Sequence, residues 1–122
     1  MDAIILYAYK RNFDVQKAER YFKERGVRLQ VADMKKHPPG VKELRLFAQR
    51  AGLHNIIDKD NKRYKESAIA YMAGEESILS GLLREPELLR SPILRMGQKI
   101  TVGYRPDIWA EWLKEQKKDP PR

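Results

Sequence analysis

Apolar residues recur along this chain with two different periods. Residues 3–8, carrying Ile4-Ile5-Leu6-Tyr7-Ala8, form a short, partly β-branched apolar run that predicts a buried strand. From Val15 to Arg25 the spacing becomes helical, with Val15, Ala18 and Phe22 on one face and Tyr21 beside them. Gly26 sits where a glycine ends a helix. Residues 27–32 then alternate, with Val27, Leu29 and Val31 on one side, and predict a second strand. Strand, helix and strand in so short a space imply parallel pairing through a right-handed crossover.

Pro38-Pro39-Gly40 breaks the chain and starts a second helix, with Val41, Leu44, Phe47, Ala48 and Ala51 as its stripe and Gly52 at its end. Residues 53–63 read as a polar connection turning over 58–62. Tyr64, Ala68, Ile69 and Met72 predict a third, short helix. Glu75-Glu76 opens a fourth, which buries Ile78, Leu79, Leu82 and Leu83 and stops before Pro86. Ile93–Met96 and Lys99–Val102 read as a hairpin about Gly97-Gln98. Pro106-Asp107 starts a last helix that buries Ile108, Trp109, Trp112 and Leu113. The order is β-α-β, a helical block, then β-β-α: an α/β protein with a mixed four-stranded sheet. We expect a single domain over 1–116, a helical insertion at about 38–90, and a charged, frayed tail over 117–122.

Composition narrows the chemistry. The 122 residues include no cysteine, which removes disulfides, thiolate metal sites and thiol catalysis together. The two histidines, His37 and His54, have no metal-ligand spacing, so no metal site is expected. No apolar run approaches the roughly 20 residues that span a bilayer, and no signal-peptide pattern opens the chain; a cytoplasmic protein is the expectation. The net charge of +8 favours an anionic partner. The basic residues are dispersed, without a stacking platform or recognition helix, so direct nucleic-acid binding is not the expected use. Core packing is the better reading of Trp109 and Trp112.

The candidate site is the loop between the first strand and helix, Tyr9-Lys10-Arg11-Asn12-Phe13-Asp14. A strand feeding a helix N-terminus presents free N–H groups and the positive end of a dipole, which suits an anion or an ionised nucleophile. Asp14 is the first choice of N-cap and Asn12 the competing one.

Several motifs, in order, resemble one family. Lys36-His37-Pro38-Pro39-Gly40-Val41-Lys42-Glu43-Leu44 is similar to a Lys-x-Pro-Pro-x-x-x-Glu-Leu pattern. Tyr64-Lys65-Glu66, Pro86-Glu87-Leu88-Leu89-Arg90-Ser91-Pro92-Ile93 and Gly103-Tyr104-Arg105-Pro106 follow at matching spacing. Together these resemble the arsenate reductase (ArsC)/Spx-like family, which implies a thioredoxin-like fold, a helical insertion in its middle and a cis peptide before Pro92. The family pattern Tyr-x-x-Pro-x-Cys aligns with Tyr7, Lys10 and Asn12, so asparagine stands at the nucleophile position. Val15 stands where Spx-type members often carry a second cysteine. Of the three oxyanion-binding arginines, Asp58 and Ser91 occupy two positions, Arg90 lies beside the second, and only Arg105 matches.

An asparagine amide cannot replace a thiolate, and a carboxylate at Asp58, if it faces the site, repels an arsenate dianion. Arsenate reduction is therefore not expected, whereas other catalysis is left open. Two uses remain. One is a protein-binding or regulatory module that docks on an acidic partner, by analogy with Spx-like relatives that dock on RNA polymerase. The other is an anion- or glutathione-binding site built from Lys10, Arg11, Asn12, Phe13 and Arg105, with Pro92 as a structural neighbour, where bound glutathione would supply the missing sulfur.

Overall fold

The computed structural model describes residues 3–118, and side chains through residue 115. Strand β1 (Ile4–Ala8) pairs in parallel with β2 (Leu29–Asp33) and antiparallel with β3 (Ile93–Met96). β3 pairs antiparallel with β4 (Lys99–Val102), giving the sheet order β2-β1-β3-β4. The helices are α1 (Phe13–Glu24), α2 (Val41–Ala51), α3 (Glu75–Arg84) and α4 (Pro106–Lys118).

Alternation along β1 feeds two cores. Ile4, Leu6 and Ala8 join Val15, Ala18 and Phe22 of α1 and Trp109 and Trp112 of α4 on one face. Tyr7 points to the other, where Leu44 and Phe47 of α2 and Ile78, Leu79 and Leu82 of α3 are buried. Both tryptophans are core residues, and the Trp109 indole N–H donates to Thr101 Oγ1 at 2.8 Å, so its one polar atom is satisfied. Phe22 lies 5.2 Å from the Trp109 ring; truncating such a buried aromatic costs about 3–5 kcal/mol.

The ends of α1 follow local chemistry. At its C-terminus, Gly26 takes φ +69°, its N–H reaches Lys23 O at 3.1 Å, and the Val27 N–H reaches Phe22 O at 2.9 Å. This pair of bonds closes the last turn and is the reason for glycine there. At the N-terminus the cap is Asn12, not Asp14. Asp14 lies within the first helical turn, where its charge meets the dipole.

Other differences from the sequence reading have physical causes. The third helix is only a 3₁₀ turn over Ala68–Tyr71, because the Ser67 hydroxyl takes the Ile69 N–H at 3.2 Å and starts a short turn. Tyr71 projects into solvent. The polar connection is partly core: Leu53–Ile56 forms a 3₁₀ turn, Ile56 and Ile57 are buried, and Ile57 bridges to Leu89. Leu83 and Val41 are exposed, because each lies at the margin of its helix's apolar stripe. Val31 is exposed because β2 is a sheet edge, and it lines open clefts there. The tail read from Lys117 onward meets the end of α4, and residues 119–122 lie outside the described residues.

Candidate functional site

The loop after β1 is held from below by residue 91. The Tyr9 N–H donates to Ser91 Oγ at 2.9 Å, and Asn12 Nδ2 donates to the Ser91 carbonyl oxygen at 2.8 Å. The other half of the same amide caps α1: the Val15 N–H donates to Asn12 Oδ1 at 2.8 Å. Asn12 therefore links the start of α1 to the segment leading into β3. The peptide between Ser91 and Pro92 is cis, as the motif implies, and Pro92 is fixed by a 2.9 Å bond from the Gly103 N–H to its carbonyl.

The charges on the loop have partners. Lys10 Nζ lies 3.3 Å from Asp58 Oδ2, and the Arg11 guanidinium lies 2.6 Å from the Glu19 carboxylate. In both pairs the cation is exposed and the carboxylate mostly covered; with one end in solvent, each is worth on the order of 1 kcal/mol or less and mainly orients the side chains. Phe13, the first residue of α1, is 79% exposed and touches neither core.

The five candidate ligand-binding residues do not converge. Lys10 and Arg11 line a cleft of about 210 Å³ together with Tyr9, Val15, Glu19 and Asp33. Arg105 lines a separate cavity with Arg50 and Arg90, and its guanidinium lies 3.6 Å from the Asp107 carboxylate. Asn12 and Phe13 line neither. Residues that sequence reasoning passed over are Glu19, Ser91 as an acceptor, and Arg50. The opposite signs at positions 10 and 58 were the available signal for the first ion pair. For Arg50, whose neighbours come from distant segments, the sequence carries no such signal. Among the described residues, no group of three or more histidine or carboxylate side chains is arranged to hold a metal ion.

Nearby on the other face of β1, burial raises the Tyr7 hydroxyl above its usual pKa, a shift partly opposed by its contact with Arg95 and reinforced by the Glu43 carboxylate. The hydroxyl is neutral at physiological pH and accepts from Arg95 Nη1 at 3.5 Å, a long bond that suits packing more than proton transfer.

The ArsC family pattern matches residues 7–112. The chain belongs to the ArsC family. It is 24% identical over 114 residues to the uncharacterized protein YusI of Bacillus subtilis, covering 89% of this chain and 97% of that one. The arsenate reductase from Vibrio cholerae superimposes with a TM-score of 0.79 at 18% identity, covering 90% of this chain and 97% of its own. The YffB protein gives 0.80 at 22% identity, covering 89% and 97%. These likenesses establish a thioredoxin-like ArsC fold, and this ArsC-family chain carries it with no cysteine. Among the described residues no helix is long and apolar enough to cross a membrane.

Proposed function

We propose that this ArsC-family protein works without thiol redox chemistry, as a protein-binding module whose docking face is the loop around Phe13. The observation that carries the reading is the double engagement of Asn12. The side chain at the nucleophile position accepts from Val15 N–H and donates to Ser91 O, so it serves as a clasp. A clasped loop is a rigid platform, and rigid presentation of an aromatic lowers the entropy cost of docking. Phe13 stands on that platform, flanked by exposed Lys10 and Arg11. An aromatic anchor with a basic rim suits an acidic surface containing an apolar pocket. Such a module, free of cysteine, suits a cytoplasmic setting.

The loop cleft of about 210 Å³ favours a second reading, an anion or glutathione site. It is the weaker one. The cleft is smaller than the roughly 300 Å³ at which small-molecule pockets usually begin, and both of its cations already face carboxylates.

Placing a photo-crosslinking amino acid at position 13 of the full chain tests the docking reading. We expect an adduct with an acidic protein that is weakened by salt and lost when Lys10 and Arg11 are changed to Glu. If position 13 yields no adduct while an equivalent probe on α3 does, or if the adduct persists in the charge-reversed protein, docking through this loop is wrong.

A further inference from the structure

Strand β2 leaves one edge of the sheet open. It pairs with β1 without a bulge, from Ile4 with Leu29 to Ala8 with Asp33. The Met34 N–H donates to Ala8 O at 2.9 Å, so by alternation the backbone groups of Gln30 and Ala32 face β1, and those of Leu29, Val31 and Asp33 face outward. The Asp33 carbonyl accepts from the His37 N–H at 2.9 Å. The outward N–H and C=O groups of Leu29 and Val31 are left as a template for another strand. Leu29–Asp33 contains no proline and no basic residue, the usual guards of such an edge. The opposite edge is guarded: β4 opens with Lys99, which pairs with Glu115.

Two clefts flank this edge on the side of α1. One, of about 430 Å³, has Val27, Leu29 and Val31 as its apolar wall. The other, of about 210 Å³, has Ala8, Val15 and Val31. Leu29, Val31 and Asp33 run from the first cleft to the second at two-residue spacing, and alternate side chains of an added strand follow the same period. The charges around the clefts are uneven. Glu19 lines both, but its carboxylate already meets Arg11 at 2.6 Å. Lys23 and Arg28 line the larger cleft, are exposed, and make no ion pair among the described residues. At the other end, Asp33 lines the smaller one.

We infer that β2 accepts an extended segment of another protein as a fifth strand, with apolar side chains at alternate positions in the two clefts and a carboxylate at the Leu29 end facing Lys23 and Arg28. Backbone bonds to Leu29 and Val31 supply affinity, and the clefts supply specificity. Charge fixes which end lies where, because a carboxylate at the opposite end meets Asp33. A second copy of this chain fits the edge less well. Antiparallel pairing of two β2 strands sets the Arg28 end of each against the Lys35 end of the other, and each copy carries a net charge of +8. Phe13 lines neither cleft, so this surface is separate from docking through Phe13.

The probes are two capped peptides of alternating valine and threonine, one with a pair of glutamates at its N-terminal end and one with the pair at its C-terminal end, which cover parallel and antiparallel addition. Titrated into the full chain, the better of the two should give saturable amide shifts at Leu29, Val31 and Asp33 and slowed hydrogen exchange at Val31, with smaller changes at Gln30 and Ala32. Replacing the glutamates by lysines should weaken binding about tenfold, the effect of one charged hydrogen bond, and so should Lys23→Glu combined with Arg28→Glu. Val31→Pro removes an outward N–H that the β1 ladder does not use, and it should abolish binding; the charge-reversed protein decides the question independently of that variant's folding. Phe13→Ala should leave binding unchanged. Absence of shifts over residues 29–33 with either peptide, equal affinity for the lysine peptides, or unchanged binding after the charge reversal would overturn the proposal. Protection of Val31 that rises with protein concentration, without peptide, would overturn it in favour of a second copy. Loss of binding in Phe13→Ala would overturn it in favour of the loop.

Discussion

Lys10 and Asp58 pair with each other at 3.3 Å, although they are 48 positions apart and each departs from the family motif. Where the motif has proline and arginine, this chain has a cation and an anion in contact. Asp58 faces the loop, and it meets a lysine there. Reversing one charge, as Lys10→Glu or Asp58→Lys, should destabilise the protein slightly, and the double reversal should recover the loss. A double-mutant cycle by urea unfolding should give a coupling of about 0.5 kcal/mol, typical of a pair with one end in solvent. Zero coupling would mean that the pair has no energetic role.

Asn12 should matter more for stability than for chemistry. Asn12→Ala removes a helix cap, worth about 1 kcal/mol, and the bond to Ser91 O, worth about another 1 kcal/mol. Asn12→Asp keeps the cap but turns a carboxylate toward the Ser91 carbonyl, so it should recover only part of the loss. Equilibrium denaturation of the two variants checks this ordering. Equal stability of Asn12→Asp and the parent would show that the donor half of the amide contributes nothing.

Much of this architecture was legible in the sequence, and the exceptions are instructive. The hairpin over Ile93–Met96 and Lys99–Val102, the start of α4 at Pro106 and both buried tryptophans follow from periodicity and turn residues. The segment from residue 53 to residue 72 departs from its local pattern because its structure comes from contacts made far along the chain. Ile57 is fixed by Leu89, and Ser67 by Glu85 at 2.7 Å. Local sequence favours Asp14 over Asn12 as the cap, because the bond that holds Asn12 in place goes to Ser91, which no local pattern reveals. The separation of Arg105 from Lys10 is likewise tertiary: a motif gives identity and order, but not which cavity a side chain enters.

Gly81 is needed for close packing. A Cβ added there would lie 2.6 Å from Ile69 Cγ1 and 3.0 Å from its Cδ1, in the buried seam between α3 and the Ala68–Tyr71 turn. Alanine gains about 1 kcal/mol of helix propensity, whereas overpacking costs about 1–3 kcal/mol. Gly81→Ala should therefore be neutral to destabilising by about 2 kcal/mol. Adding Ile69→Val, which removes the Cδ1 contact, should soften the penalty. Thermal unfolding of the single and double variants measures both effects, and a marked gain in stability from Gly81→Ala alone would contradict the packing argument.

Tyr7 makes a prediction at alkaline pH. Its folded pKa is raised above the unfolded value of about 10 by burial, with Glu43 adding to the shift and Arg95 opposing it. The folded state thus holds the proton more tightly. The resulting stability is fully present below about pH 10 and is lost as pH rises through the folded pKa. Stability measured between neutral and strongly alkaline pH should fall less steeply in Tyr7→Phe than in the parent. Identical alkaline limbs would show that Tyr7 is not linked to folding.

The helix N-terminus at Asn12 is closed by the asparagine's own side chain, and amide NMR can detect whether a ligand opens it. Titrating the protein with arsenate and with glutathione should leave the amides of residues 10–15, above all Val15, unshifted at millimolar ligand. A saturable shift at Val15 would mean that the ligand displaces Asn12 Oδ1, and it would return the loop to the role of an anion site.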